Sequence, residues 1–221
     1  MIRVVSTNLY NHNVDLESLA RLIEEERPDF LAAQELTPAA GRVIAGRLPH
    51  GLLQPRDGTD GIGIASASPV RVRRHPLPHR DAMVADGPFS LWSVHLANPV
   101  DAPPPWRARR AQVHALAAAV TGLRPVLVVG DFNATPWWPA YRILTRVLDD
   151  GVATLAERRG ERPKRTWSYR ALTPTLLRID HALIGGLRLA DARTRVVAGS
   201  DHRALVVDVE TDLSPGDPRS S

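Results

Sequence analysis

Residues 130–136, GDFNATP, put a carboxylate, Asp131, and an amide, Asn133, two positions apart on a turn that follows an apolar run. There Asp131 can orient or deprotonate a water, and Asn133 can donate to a phosphate oxygen. The competing reading is a plain turn in which both side chains bond only the backbone. Ser200-Asp201-His202 ends a loop ahead of another apolar run. His202 is a candidate base or transition-state donor because imidazole titrates near neutrality; a lone loop histidine can equally be a surface residue. Asp180 lies inside LLRIDHALI, residues 176–184, where an ionised carboxylate has to be satisfied. A histidine partner would do this and raise the basicity of the imidazole; capping a neighbouring turn would also do it. Glu35 closes FLAAQE, and a charge ending a buried strand is costly unless paired or bound to a metal. Asn8 closes VVSTN and can orient Glu35 or approach that metal, and His95 closes LWSVH.

These residues share a position, the end of a strand-like run, and strand ends on one edge of a sheet converge in space. The pattern predicts strands over residues 2–9, 29–36, 61–66, 70–75, 89–96, 125–130, 176–184, 187–197 and 204–210. Apolar residues at helical spacing predict helices over 14–26, 38–48, 106–120 and 138–148, with Pro28 stopping the first and Pro38 in the first turn of the second. Residues 98–105 read as a Pro-rich loop, 149–164 as mostly loop, and 213–221 as a disordered tail. Helices alternate with strands early and strands dominate late, which suits an α/β fold of two packed sheets with helices outside.

The length, 221 residues, suits one domain with a sizeable core. Without any Cys, thiolate metal sites and Cys nucleophiles are excluded, so a metal would be held by oxygen or imidazole: Mg²⁺ or Mn²⁺, with Ca²⁺ also compatible. The net charge is +4 and Lys164 is the sole lysine. Such an arginine excess suits phosphate-bearing partners, although a GC-rich coding bias would give the same composition. No apolar run reaches the roughly 18 residues that span a membrane, and no basic segment precedes an apolar one as in a signal peptide. A cytoplasmic monomer is expected, with secretion requiring a leader.

Thr7-Asn8-Leu9, Gln34-Glu35, Val94-His95-Leu96, Gly130-Asp131-Phe132-Asn133, Arg178-Ile179-Asp180 and Gly199-Ser200-Asp201-His202, in that order, resemble the endonuclease/exonuclease/phosphatase superfamily, most closely its small bacterial members. The resemblance spans almost the whole chain. It implies a four-layer αββα sandwich of two packed mixed β-sheets, residues 1–212 as one catalytic domain, and the active site at one end. It implies Glu35 as principal metal ligand with Asn8 and Asp201 nearby. Asp131 and Asn133 would orient nucleophile and phosphate, Asp180 and His202 would form the carboxylate–imidazole pair, and His95 would contact phosphate. The chain departs from the Ser-Arg-Pro element common in the family: Ala67 precedes Ser68 and Pro69.

The reaction expected is in-line hydrolysis of a phosphate ester by a metal- and Asp131-positioned water. A nucleic-acid phosphodiester is the leading substrate, with Arg107 and its neighbours on phosphates and Trp137, Trp138 or Trp167 stacking on bases. A phospholipid, lipid-pyrophosphate or small phosphoester is the alternative. A catalytically inactive binding module is a further one, disfavoured by the complete acidic set.

Overall fold

The computed structural model describes residues 1–99, 105–169 and 174–210. The tail expected at 213–221, the domain end at 212 and residues 100–104 of the Pro-rich loop lie outside the described residues. In chain order the first sheet draws on β1 (Ile2–Asn8), β2 (Phe30–Gln34), β3 (His50–Gln54), β4 (Ile62–Ser66), β11 (Leu189–Val196) and β12 (Arg203–Val209). The second draws on β5 (Arg71–His75), β6 (Ala82–Asp86), β7 (Ser90–His95), β8 (Val126–Asp131), β9 (Asp149–Asp150) and β10 (Asp180–Gly185). Their strand orders are β11-β12-β1-β2-β4-β3 and β5-β6-β7-β8-β10-β9. Both are mixed, each built around one parallel pair, β1–β2 and β7–β8. Helices α1 (Leu16–Glu26) and α3 (Pro105–Val120) make the crossovers of those pairs, as parallel strands require.

Three apolar clusters define the layers. Val4, Ala32, Ile64, Met83, Leu91, Leu127, Val129 and Val207 fill the space between the sheets. Val5, Leu31 and Ala65, the alternate positions of the first sheet, meet Leu19, Leu22 and Ile23 of α1 and Ile44 of α2 (Pro38–Ala45). Trp92, Val94, Val126 and Val128 of the second sheet meet Val113, Leu116 and Val120 of α3 and Leu144 of α4 (Pro139–Leu144). The central strands are thus buried on both faces, which is why they read as continuous apolar runs. The result is the expected αββα sandwich. No helix among the described residues is long and apolar enough to cross a membrane.

Three local expectations are corrected. Residues 149–164 contain a helix, α5 (Gly151–Arg158). The Asp150 carboxylate accepts from the Ala153 amide at 2.9 Å and caps it, and Val152, Leu155 and Ala156 are buried at helical spacing. The strand expected over 176–184 begins only at Asp180; before it, Leu177 makes an isolated bridge with Trp167. β3 and β6 are present where no strand was expected.

Candidate active site

The register of the parallel pairs sets Asn8 beside Gln34 in one sheet and His95 beside Asp131 in the other, while Asp180 pairs with Asp131. The C-terminal ends of both pairs therefore open on one edge, over a cleft of about 390 Å³. Glu35, His95, Asp131, Asn133, Trp167, Asp201 and His202 line it, with Tyr10, Thr59, Arg80, Pro99, Trp138 and Leu177 among its further walls.

Two of the positions anticipated from sequence adopt left-handed backbone. Glu35 has φ 52° and Asn133 has φ 46°, conformations that non-glycine residues hold only when the surroundings enforce them. Gly130 precedes with φ 140°, and a Cβ there would lie 1.9 Å from the Val94 carbonyl oxygen, so only glycine lets β8 approach β7 at this point.

Asn8 joins the two sheets. Its Nδ2 donates to Glu35 Oε1 at 3.2 Å and Asp131 Oδ2 at 3.1 Å, and its Oδ1 accepts from the Tyr10 amide at 2.9 Å. The Asn133 amide donates to Asp131 Oδ1 at 2.7 Å. Asn133 Nδ2 divides between Leu96 O at 3.0 Å and Asp131 Oδ2 at 3.2 Å, so both its amide protons are engaged. His202 Nδ1 lies 2.9 Å from Asp180 Oδ2, and its Nε2 lies 3.8 Å from both Asp131 Oδ2 and Asp201 Oδ1. His95 Nε2 is 3.6 Å from Asp131 Oδ2 and 3.1 Å from an Arg80 nitrogen. The same Arg80 nitrogen is also 3.4 Å from His95 Nδ1, so it approaches both ring nitrogens. Trp167 Nε1 donates to Asp201 Oδ2 at 2.9 Å.

Burial splits the protonation states. It pushes the Glu35 and Asp201 carboxyls up and, against the opposing charge of His202, lifts Asp131 to about 7. His202 goes the other way for an imidazole: burial opposes its charge, but the Asp180 and Asp131 carboxylates raise it to about 10. Burial, then Arg80, holds His95 well below its usual value. The site thus sets an imidazole pushed up and one pushed down in pKa on the same carboxylate oxygen, Asp131 Oδ2, at 3.8 and 3.6 Å.

Asp131, Asp180 and His202 form a group able to hold a metal, their ligand atoms lying within 4.8 Å of one another. The other acidic residues also suit a hard cation. Three carboxyls are pushed up by burial, and buried Asp201 Oδ1 has no hydrogen-bond partner.

Of the residues anticipated from sequence, Arg107 and Trp137 stand outside the cleft; both are exposed, and Arg107 stacks on Trp106 at 5.0 Å. Its neighbour Arg109 is buried against the backbone rather than available to a phosphate chain. Arg80 was not anticipated, since nothing in its loop sequence marks it. Its guanidinium enters the cleft while bonding Asp60 and Thr59 at 2.8 and 2.9 Å. A cation therefore lines the cleft.

Known structures share this architecture. The 3′ phosphatase NExo from Neisseria, bound to a product DNA hairpin, superposes with a TM-score of 0.78 at 20% identity, covering 95% of this chain and 100% of that one. An AP endonuclease from Archaeoglobus fulgidus gives 0.78 at 15% identity, covering 94% and 99%. D. rerio TDP2, complexed with a single-strand DNA product, gives 0.72 at 18% identity, covering 95% and 98%. No curated protein sequence matches the chain. The sequence profile described as Endonuclease/Exonuclease/phosphatase family matches residues 5–202. With nine-tenths of its length matched and the strand-end acidic set assembled over one cleft, the chain belongs to the endonuclease/exonuclease/phosphatase family and is a hydrolase of phosphate esters.

Proposed function

We propose that the chain is a divalent-metal-dependent phosphodiesterase that cuts nucleic-acid phosphodiester bonds, working as a cytoplasmic monomer. The observation that carries the reading is the cleft itself: a floor of carboxylates and imidazoles beneath walls of Tyr10, Trp138, Trp167 and Leu177. Such a site accepts a phosphate below and a flat base above. The DNA products bound in two of the similar structures support the same substrate class.

Glu35, with Asn8 and Asp201 beside it, would hold Mg²⁺ or Mn²⁺ through hard oxygen donors. When bound, the ion supplies charge neutralisation on the phosphoryl and leaving oxygens. Asp131, held by Asn8 and Asn133, takes the proton of the attacking water. His202, kept charged by Asp180, donates to the departing oxygen. Asn133 orients Asp131, and Arg80 and His95 face the phosphoryl oxygens. Trp167 offers a stacking face while its indole N–H secures Asp201.

The test is hydrolysis of plasmid DNA, bis(p-nitrophenyl) phosphate and p-nitrophenyl phosphate with Mg²⁺ or Mn²⁺. Nicking of the plasmid and turnover of the diester, both abolished by EDTA, are expected. Turnover of the monoester alone would make it a phosphatase, and DNA turnover surviving thorough chelation would overturn the metal assignment. Failure on all three substrates would remove the nucleic-acid reading.

A further inference from the structure

Asn133 holds its left-handed conformation at a place where three successive carbonyls, those of residues 132–134, are gripped by two side chains from different elements. Arg109 of α3 donates to Phe132 O at 3.0 Å and Asn133 O at 2.9 Å, and another of its N–H groups donates to Ala97 O. His181 of β10 meets Ala134 O through Nε2 at 2.7 Å. A carbonyl cannot donate, so Nε2 carries the proton. Neither side chain lines the cleft, and both are buried, at 8% and 0% exposure. Burying a guanidinium merely to tie two loops is costly, so the carbonyls it holds matter.

His181 is itself held. Its ring sits 5.2 Å from Phe132 and 4.8 Å from Tyr141, and its Nδ1 lies 3.7 Å from Asp150 Oδ2. That same oxygen accepts from the Tyr141 hydroxyl at 2.6 Å and pairs with Arg178 at 2.7 Å. These neighbours pack the ring against Ala134 O, although Nδ1 itself has no hydrogen-bond partner.

We propose that Arg109 and His181 are positioning residues for ester hydrolysis. From two different elements they fix the backbone of 132–134 so that the Asn133 N–H and Nδ2 point onto Asp131, at 2.7 and 3.2 Å. The inference rests on the role proposed for Asp131. A carboxylate displaced by about 1 Å from its working geometry costs on the order of 10²-fold in rate.

The variants are His181→Gln, whose Nε2 can still donate to Ala134 O, His181→Leu, which cannot, and Arg109→Lys. Each is measured for kcat and KM on bis(p-nitrophenyl) phosphate, for melting temperature, and for amide hydrogen exchange over residues 131–136 without substrate. His181→Leu is expected to lower kcat by about 10- to 100-fold with KM within about threefold. Its exchange over 131–136 should quicken by about tenfold while that of β1 stays unchanged. His181→Gln should stay within about threefold of the parent, and Arg109→Lys should fall between the two. The proposal is overturned if His181→Leu keeps the parent's kcat and exchange. It is equally overturned if Gln and Leu lose activity alike and in step with melting temperature. If the parent hydrolyses no phosphate ester, the hydrolase reading fails by itself, and the exchange comparison alone then decides this one.

Discussion

Strand β10 begins with Asp180 and His181, and each belongs to a buried Asp–His pair of opposite fate. Asp180 meets the cleft-lining His202 at 2.9 Å. His181, on the other face of the strand, meets Asp150 at 3.7 Å among Phe132, Tyr141 and Arg178. The two pairs differ in what surrounds them. His202 Nε2 is free to face Asp131 and the cleft, so the charge that Asp180 stabilises is available for chemistry. His181 Nε2 is spent on a carbonyl, and its carboxylate partner is already satisfied by Arg178 and Tyr141. Burial alone would push Asp150 up, yet the His181, Arg178 and Tyr141 contacts hold it well below the usual carboxylate range. An Asp–His pair becomes catalytic or structural according to whether the far nitrogen is left unengaged.

Substitutions of His202 or Asp180 should therefore fall chiefly on activity, and those around Asp150 chiefly on stability. The largest effect expected is on turnover: His202→Ala or Asp180→Asn should lower kcat by about 10²-fold or more, with melting temperature moving far less. Near-parental turnover in both variants, with metal supplied, would erase the distinction. Next, Asp150→Asn should cost about 3 kcal/mol of stability, because it strands Arg178 in a buried site, and should be read in denaturant unfolding. Because the folded Asp150 carboxyl is depressed, its contribution is fully present above the unfolded carboxyl pKa and is lost as pH falls below about 4 toward the folded value. The stability gap between parent and Asp150→Asn should accordingly narrow below pH about 4. A gap that stays constant to lower pH would show that the carboxylate charge is not what stabilises. The smallest effect is that of Tyr141→Phe, which removes the 2.6 Å bond to Asp150 and should cost about 1–2 kcal/mol, with kcat little changed.

The same contrast explains what sequence alone could reveal. Asp131, Asp180 and His202 stand out because each polar residue interrupts or ends an apolar run, and the αββα layering follows from runs buried on both faces. His181 directly follows Asp180 in the RIDH run, but nothing local singles it out, and its partner Asp150 lies in a stretch that reads as loop. The cap that Asp150 provides and the spacing of Val152, Leu155 and Ala156 were the available signals for α5. β3, with a glycine and only partial burial, has no alternation to reveal it. Arg80 and Arg109 carry no local pattern at all. One is brought into the cleft and the other buried solely by how distant segments pack, so an arginine count cannot distinguish them.

The second sheet ends on one side at the two-residue β9 and on the other at β5. An outer strand leaves a row of unpaired backbone groups that another molecule's strand could extend. β5 carries exposed Arg71, Arg73 and Arg74 along that row, while β9 is too short to template anything. Like charges at the β5 margin oppose edge-to-edge pairing of two copies, whether or not the same residues ever meet a phosphate.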